Sequence, residues 1–313
     1  MSPSIHNVLE GGLLPVLTLM DSTSTEDRIS SISTVRALSS KPELRQFIVE
    51  SGALDYVLGM CRDDDNLFCI EEACEALSWL SLNDENKISI LSHPQIQNLF
   101  DLLESMTIKE GVTIQALRVL SHCSESQLCH PNILSHLKAQ TLEALCDKES
   151  VSIQKEMSRF MANLFSNHDN HETLFDMRFM KHIFLLSKSK EPVLQKNAML
   201  MTMNLSTNDK NHQEISNFKE EILEFIEESL QTNNTFSILT KKLLCYSCSV
   251  VGNLFQNMDV CPLLMNDDIL GKLLNLMKRK DKELRFLITY ALHQALKNSQ
   301  ETDLPVWKNS IPV

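Results

Sequence analysis

The feature that most constrains this chain is a phrase that returns. R-F-M-A-N-L-F-S-N-H-D-N, at Arg159–Asn170, comes back as M-T-M-N-L-S-T-N-D-K-N around Asn204 and as S-V-V-G-N-L-F-Q-N-M-D around Asn253. Each copy carries a helical apolar run, a central Asn-Leu, one or two small or apolar residues, and a polar loop. A unit of this kind buries its apolar face only by stacking on its neighbours. Working outward from the three Asn, the same position falls on Ala37, Trp79, Val119 and Gln294. The intervals are then 42, 40, 44, 41, 49 and 41 residues. The interval of 49 predicts a longer loop in the sixth unit, at the polar run Gln231–Thr235.

Periods of roughly 40–47 residues built from two or three helices mark armadillo and HEAT repeats. Val8–Leu19 (V-L-E-G-G-L-L-P-V-L-T-L) and Val49–Leu58 (V-E-S-G-A-L-D-Y-V-L) look like a short first helix stopped at Gly before a second begins. With the Asn-Leu phrases ending third helices, the chain resembles the armadillo-repeat family over about residues 6–298. The later units lack the Gly, which leaves a HEAT-like variant open for them. The resemblance implies an all-α fold, a right-handed α-solenoid of about seven armadillo-like repeats. The units fall at about 6–48, 49–91, 93–134, 136–176, 178–217, 218–265 and 266–298. Together they form one array over 1–299, followed by a flexible tail at 300–313. In unit one the second helix is expected at Leu13–Met20 and the third at Glu26–Leu38, with N-cap residues from Asp21–Thr25 between them. In unit two Asp63-Asp64-Asp65 ends the middle helix and Leu67–Leu82 forms the third. An acidic helix, Lys219–Leu230, belongs to unit six. The first unit begins almost at a repeat boundary, without the polar capping helix a solenoid end needs. That leaves open a fragment, a splice form, or a first face that meets a partner.

Composition agrees with stacked helices, because Gly and Pro are few and no strand-type alternation of useful length occurs. The net charge of −12 argues against general nucleic-acid binding, which needs clustered Lys and Arg. No apolar run reaches the roughly 18 residues of a membrane span, and M-S-P-S-I-H-N is not a signal peptide. Nine Cys is an odd number, and Cys69, Cys74, Cys245 and Cys248 sit in apolar helical runs. They read as reduced intracellular thiols acting as small hydrophobes. The expected location is therefore intracellular, in the cytoplasm or the nucleus.

Catalytic signatures are missing: there is no Gly-rich phosphate loop, G-x-S-x-G, H-E-x-x-H or kinase motif. His122-Cys123 with Cys129-His130 offers ligand-type residues, but zinc favours two to four residues between its cysteines, and here there are five. An ordinary inter-helix loop is the better reading. Cys245-Tyr-Ser-Cys248 lacks the strand that precedes a thioredoxin-like pair and reads as core. His168 and His171 read as part of a solvated turn. Met199, Met201 and Met203 read as core or half-core. No cofactor and no metal site is expected.

What remains is a surface. In the armadillo family the third helices line a groove, and their Asn side chains bind the backbone of an extended partner. A carboxamide donates and accepts, so it can pair with any peptide unit. Positions four and eight before each Asn share its helix face. That stripe reads Glu71, Glu75 and Trp79 in unit two, and Gln115 and Val119 with Arg118 adjacent in unit three. It continues as Lys155, Arg159 and Asn163 in unit four, Lys196, Leu200 and Asn204 in unit five, and Cys245, Ser249 and Asn253 in unit six. Nuclear-import adaptors of the importin-α type carry Trp four residues before many of these Asn. Here those positions hold Ser33, Glu75, Gln115, Arg159, Leu200, Ser249 and Tyr290, and the basic N-terminal arm is missing. Lys and Arg beside the Asn ladder look more like the β-catenin type, which takes acidic extended segments. The expected role is a non-enzymatic interaction scaffold or adaptor, with a protein partner in the groove. Within the family the rivals are a regulator that clamps a globular partner, as nucleotide-exchange factors of heat-shock chaperones or small GTPases do, and a structural subunit of a ciliary, centrosomal or transport assembly. The ending Ile311-Pro312-Val313 also fits the loose apolar-x-apolar pattern of some PDZ ligands.

Overall fold

A computed structural model describes residues 12–298, except 63–65, 106–107, 232–236, 258 and 266. Val8–Gly11, Asp63-Asp64-Asp65, the stretch 232–235 of the Gln231–Thr235 run, and the tail with Ile311-Pro312-Val313 lie outside the described residues. Among the described residues there are twenty α-helices and no strand.

The first two are α1 (Leu14–Thr18) and α2 (Thr25–Ser39). Six triplets of first, second and third helix follow. They are α3 (Arg45–Glu50), α4 (Ala53–Met60) and α5 (Leu67–Leu80); α6 (Asp84–Leu91), α7 (Gln97–Glu104) and α8 (Glu110–Cys123); and α9 (His130–His136), α10 (Ala139–Cys146) and α11 (Val151–Leu164). The later ones are α12 (His171–Asp176), α13 (Met180–Ser187) and α14 (Pro192–Ser206); α15 (His212–Ser216), α16 (Lys219–Ser229) and α17 (Ile238–Leu254); and α18 (Cys261–Leu264), α19 (Asp267–Leu276) and α20 (Lys282–Asn298). Contacts group the chain into two compact units, Met1–Leu164 and Phe165–Val313. In the first, α2 packs on α5, α5 on α8 and α8 on α11. In the second, α14 packs on α17 and α17 on α20. No described helix is long and apolar enough to cross a membrane.

Local chemistry sets the helix limits. Ser24, within the polar stretch expected to supply a cap, accepts from Asp27 N at 3.3 Å and starts α2. Gly12 and Gly52 take left-handed conformations, with φ of 74° and 81°. Gly52 does so between the first and second helices, where L side chains are strained. At the corresponding turn before α13 the left-handed residue is Arg178, with φ of 56°. The extra length of the sixth unit is partly helix. There α16 and α17 run 11 and 17 residues, whereas α13 and α14 run 8 and 15.

The turns between repeats share one construction. Asn83, Asn167, Asn208 and Asn257 each accept main-chain N–H groups two or three residues on. These Asx turns lead the chain from a third helix into the next first helix. A side chain, half-buried for Arg45 and buried in the other four cases, then reaches back six residues to a carbonyl at the end of the third helix. Arg45 donates to Ser39 O at 3.1 Å, Asn86 to Leu80 O at 3.1 Å, and His130 to Ser124 O at 2.8 Å. His171 donates to Phe165 O at 2.9 Å, and Asn211 to Leu205 O at 2.9 Å. Each bond satisfies a carbonyl that the helix leaves without an internal partner. This corrects one sequence reading: His171 is buried, not part of a solvated turn, and His130 is buried likewise, at the start of α9. Cys69, Cys74, Cys245 and Cys248 are core, as are Met199 and Met201, while Met203 is half-buried.

Candidate functional site: the third-helix faces

The ladder register is set by contacts at its back. In the first unit, Asn163 Nδ2 donates to Ser121 O at 3.0 Å and to Ser124 Oγ at 3.1 Å. Ser124 in turn donates to Ser121 O at 2.9 Å. One repeat earlier, His122 Nδ1 meets Ser78 O at 3.2 Å and Ser81 Oγ at 3.0 Å, and Ser81 donates to Ser78 O at 2.9 Å. A carbonyl only accepts, so His122 Nδ1 carries the proton. The two arrangements are the same, and His122 is therefore the ladder residue of this repeat. Val119, the position expected from its Leu-Ser neighbours, is fully buried one turn earlier. With His122 in place the intervals become 42, 43, 41, 41, 49 and 41 residues. Arg118, not Gln115, then stands four residues before the ladder position.

The exposed side of the first unit's third helices is charged but self-paired. On α5, Trp79 Nε1 donates to Glu75 Oε1 at 3.3 Å, and the Arg45 guanidinium lies 5.9 Å from the Trp79 ring centroid. Arg36 Nε reaches Glu72 at 2.8 Å and its Nη1 lies 3.7 Å from Glu75. Glu71 is half-buried on the same helix, beside Gly111. Arg118 Nε bonds Glu156 at 2.8 Å. Arg159 bonds Glu125, whose second oxygen takes Lys87 Nζ at 3.1 Å. Burial alone would raise the Glu125 carboxyl, but the hydrogen bonds from Lys87 and Arg159 hold it below its ordinary range. Lys155 is half-buried and also engaged. The acid-early, base-later gradient of the stripe is present, with its guanidiniums met by carboxylates from adjoining repeats.

In the second unit, Asn253 Nδ2 donates to Ser206 Oγ at 3.0 Å, and its Oδ1 accepts from Tyr290 OH at 3.2 Å. Asn204 differs. The position that supplies a hydroxyl elsewhere (Ser81, Ser124, Ser206) is Phe165 for Asn204, and an aromatic ring offers no acceptor. The half-buried Asn204 carboxamide makes no hydrogen bond among the described residues. Lys196 and Leu200 share its face, both half-buried, and Lys196 is engaged. Cys245, expected on the stripe, is buried, while Ser249 is half-exposed.

The Cys-His cluster separates into structural roles. Burial pushes the His122 and His130 imidazoles below their usual range and the Cys123 thiol up. Among the described residues no group of three or more His, Cys, Asp or Glu is arranged to hold a metal ion. The helix-end Ser and the back-reaching Asn86 and Asn211 carried no expectation from sequence, and His130 and His171 only that of a loop or turn. The signal was there, as N-D-E-N, N-H-D-N-H and N-D-K-N-H follow the third helices of three repeats.

No protein-family model matches the chain, and no curated protein matches it. Solved structures do. An engineered protein aligns with a TM-score of 0.67 and 15% identity over 95% of this chain and 81% of its own. A computationally designed armadillo repeat protein for modular peptide recognition aligns at 0.61 and 16%, over 90% of this chain and 99% of its own. A designed armadillo repeat protein in complex with the peptide (KR)4 aligns at 0.61 and 17%, over 91% and 99%. The fold is an armadillo-like repeat fold, as the repeat phrases predict.

Proposed function

We propose that this protein is a non-enzymatic binding scaffold that holds an extended segment of a protein partner along its third-helix faces. The observation that carries the reading is Asn204. Its carboxamide stands at the ladder position, half-buried, with donor and acceptor both unused among the described residues. A peptide unit satisfies both at once. Two of the similar structures are described as serving peptide recognition or holding a peptide, which supports the same use of this face. For the partner we propose an acidic segment, drawn on the second unit's face by Lys196 beside Asn204; the first unit's face, taken by itself, offers such a segment Lys155, Arg118 and Arg159 beside Asn163. The segment competes there with Glu125 and Glu156 for the two guanidiniums. The exposed Arg159–Glu125 pair contributes about 0–1 kcal/mol, so displacing it costs little, while Arg118–Glu156 is half-buried on the Glu156 side.

A second reading has its own observation. Asn163 and Asn253 already donate within the protein, so the ladder also fastens adjoining repeats. A partner that clamps as a globular body would not need it.

The test is selection of peptides from a random displayed library on the immobilised protein, with Asn204→Ala as the comparison. On the groove reading, selected peptides are extended and rich in Asp and Glu. They lose at least tenfold in affinity on Asn204→Ala while circular dichroism stays unchanged. Equal binding to both proteins would reject the Asn204 site and leave the clamp.

A further inference from the structure

Among the nine cysteines, two meet. Cys61 Sγ and Cys74 Sγ lie 3.9 Å apart, and both side chains are fully buried. Cys61 caps the C-terminus of α4, its thiol donating to Val57 O at 3.4 Å. Cys74 stands in the middle of α5, on its buried side. A disulfide needs its sulfurs about 2.05 Å apart. Closure therefore draws these two together by roughly 2 Å, about 1 Å each if shared.

Buried cysteines in apolar surroundings are usually inert. This pair differs in its sulfur-to-sulfur contact and in having a cavity at the chain neighbours of one member. A cavity of about 630 Å³ is lined by Gly59, Met60 and Arg62, residues on both sides of Cys61, together with Arg28 and Tyr56. Cys61 itself does not line that space, so a small neutral oxidant that enters it comes up to the chain neighbours of Cys61 and reaches the sulfur only when the end of α4 opens. Cys74 lies deeper, its thiol held well above the ordinary range first by the hydrogen bond with Cys61 and then by burial.

We propose that Cys61 and Cys74 are a modification site that closes to a disulfide under two-electron oxidation by a hydroperoxide. The Cys61 sulfur attacks the peroxide, the O–O bond breaks, and sulfenic acid and water form when the oxidant is hydrogen peroxide. The Cys74 sulfur then displaces the hydroxyl from Cys61, its proton leaving with that hydroxyl as a second water. Two thiols are oxidised and one peroxide is reduced. The bond fastens the end of α4 to the buried side of α5, whose exposed side carries Glu71, Glu75 and Trp79. Oxidation state is thereby felt at the first unit's third-helix face. The chemistry is independent of the peptide-binding reading.

The experiment treats the reduced full chain with hydrogen peroxide, blocks remaining thiols with iodoacetamide, and maps peptides by mass spectrometry without reduction. The expected product is a cross-linked pair joining Cys61 to Cys74, reversed by dithiothreitol and missing from Cys61→Ser and Cys74→Ser. If circular dichroism shows a Ser variant unfolded, Cys61→Ala and Cys74→Ala keep the site apolar and replace it. The proposal is overturned if the half-buried Cys146 is oxidised to sulfinic acid while Cys61 and Cys74 still alkylate. It is also overturned if the link forms only in urea, or if either cysteine joins a different partner instead.

Discussion

His171 is held by bonds that define its protonation. Its Nε2 donates to Phe165 O, so Nδ1 is left as an acceptor, and Asn211 Nδ2 lies 2.7 Å from it. A second proton would set donor against donor in a buried site. Burial first, and the nearby His168 in addition, push its folded titration below the ordinary 6.5, against the bond to Phe165, which raises it. The unfolded chain then binds the proton more readily than the folded one. Stability is full above about pH 6.5 and falls as pH drops below it toward the folded value. Urea unfolding at a series of pH values should show this decline, with a shallower slope for His171→Gln, which can still donate to Phe165 O. A slope unchanged by that variant would contradict the assignment. Arg178 tests backbone strain at the same scale. Its left-handed φ of 56° costs a side-chain-bearing residue about 1–2 kcal/mol. Glycine loses more freedom on folding, so Arg178→Gly should gain up to about 1 kcal/mol, read as a higher melting temperature.

At the scale of helices, close approach decides what fits. A Cβ added to Gly252 on α17 would stand 2.5 Å from the Tyr290 ring on α20. That ring also places the hydroxyl that donates to Asn253. Gly252→Ala should therefore destabilise by about 1–3 kcal/mol, and calorimetry of Gly252→Ala beside Gly252→Ala/Tyr290→Leu should show partial recovery in the double variant. No recovery would mean that the contact with Tyr290 is not the source. The helices themselves were legible in advance: α2, α5 and α16 fall within two residues of the predicted segments. Their register against each other was not. In R-V-L-S-H the Leu-Ser after Val119 imitates the Asn-Leu-Ser phrase, and the loop position that holds Asn in other repeats holds Ser126. Only the contacts of His122 with Ser78 and Ser81 place it on the ladder.

Across the whole molecule, repeats act as nearly independent terms joined by nearest-neighbour contacts. Asn86 and Asn211 do the same job in different compact units, with no shared partner. Each →Ala change removes one bond to a helix-end carbonyl that keeps another from Asn83 N or Asn208 N, and should cost about 0.5–1.5 kcal/mol. The double variant should equal their sum to within about 0.5 kcal/mol, measured by urea unfolding. A larger discrepancy would mean that the repeats are coupled beyond their neighbours. The armadillo-like fold could be read from residue order alone, because a repeated apolar spacing with a repeated polar break is itself a pattern along the chain. Which faces stay available could not. Asn163, Asn204 and Asn253 are alike in sequence, yet two of them donate to hydroxyls of the adjoining repeat and one does not. The difference lies in the residue about 40 positions earlier, Ser or Phe, which only the stacking of one repeat on the next brings within hydrogen-bonding reach.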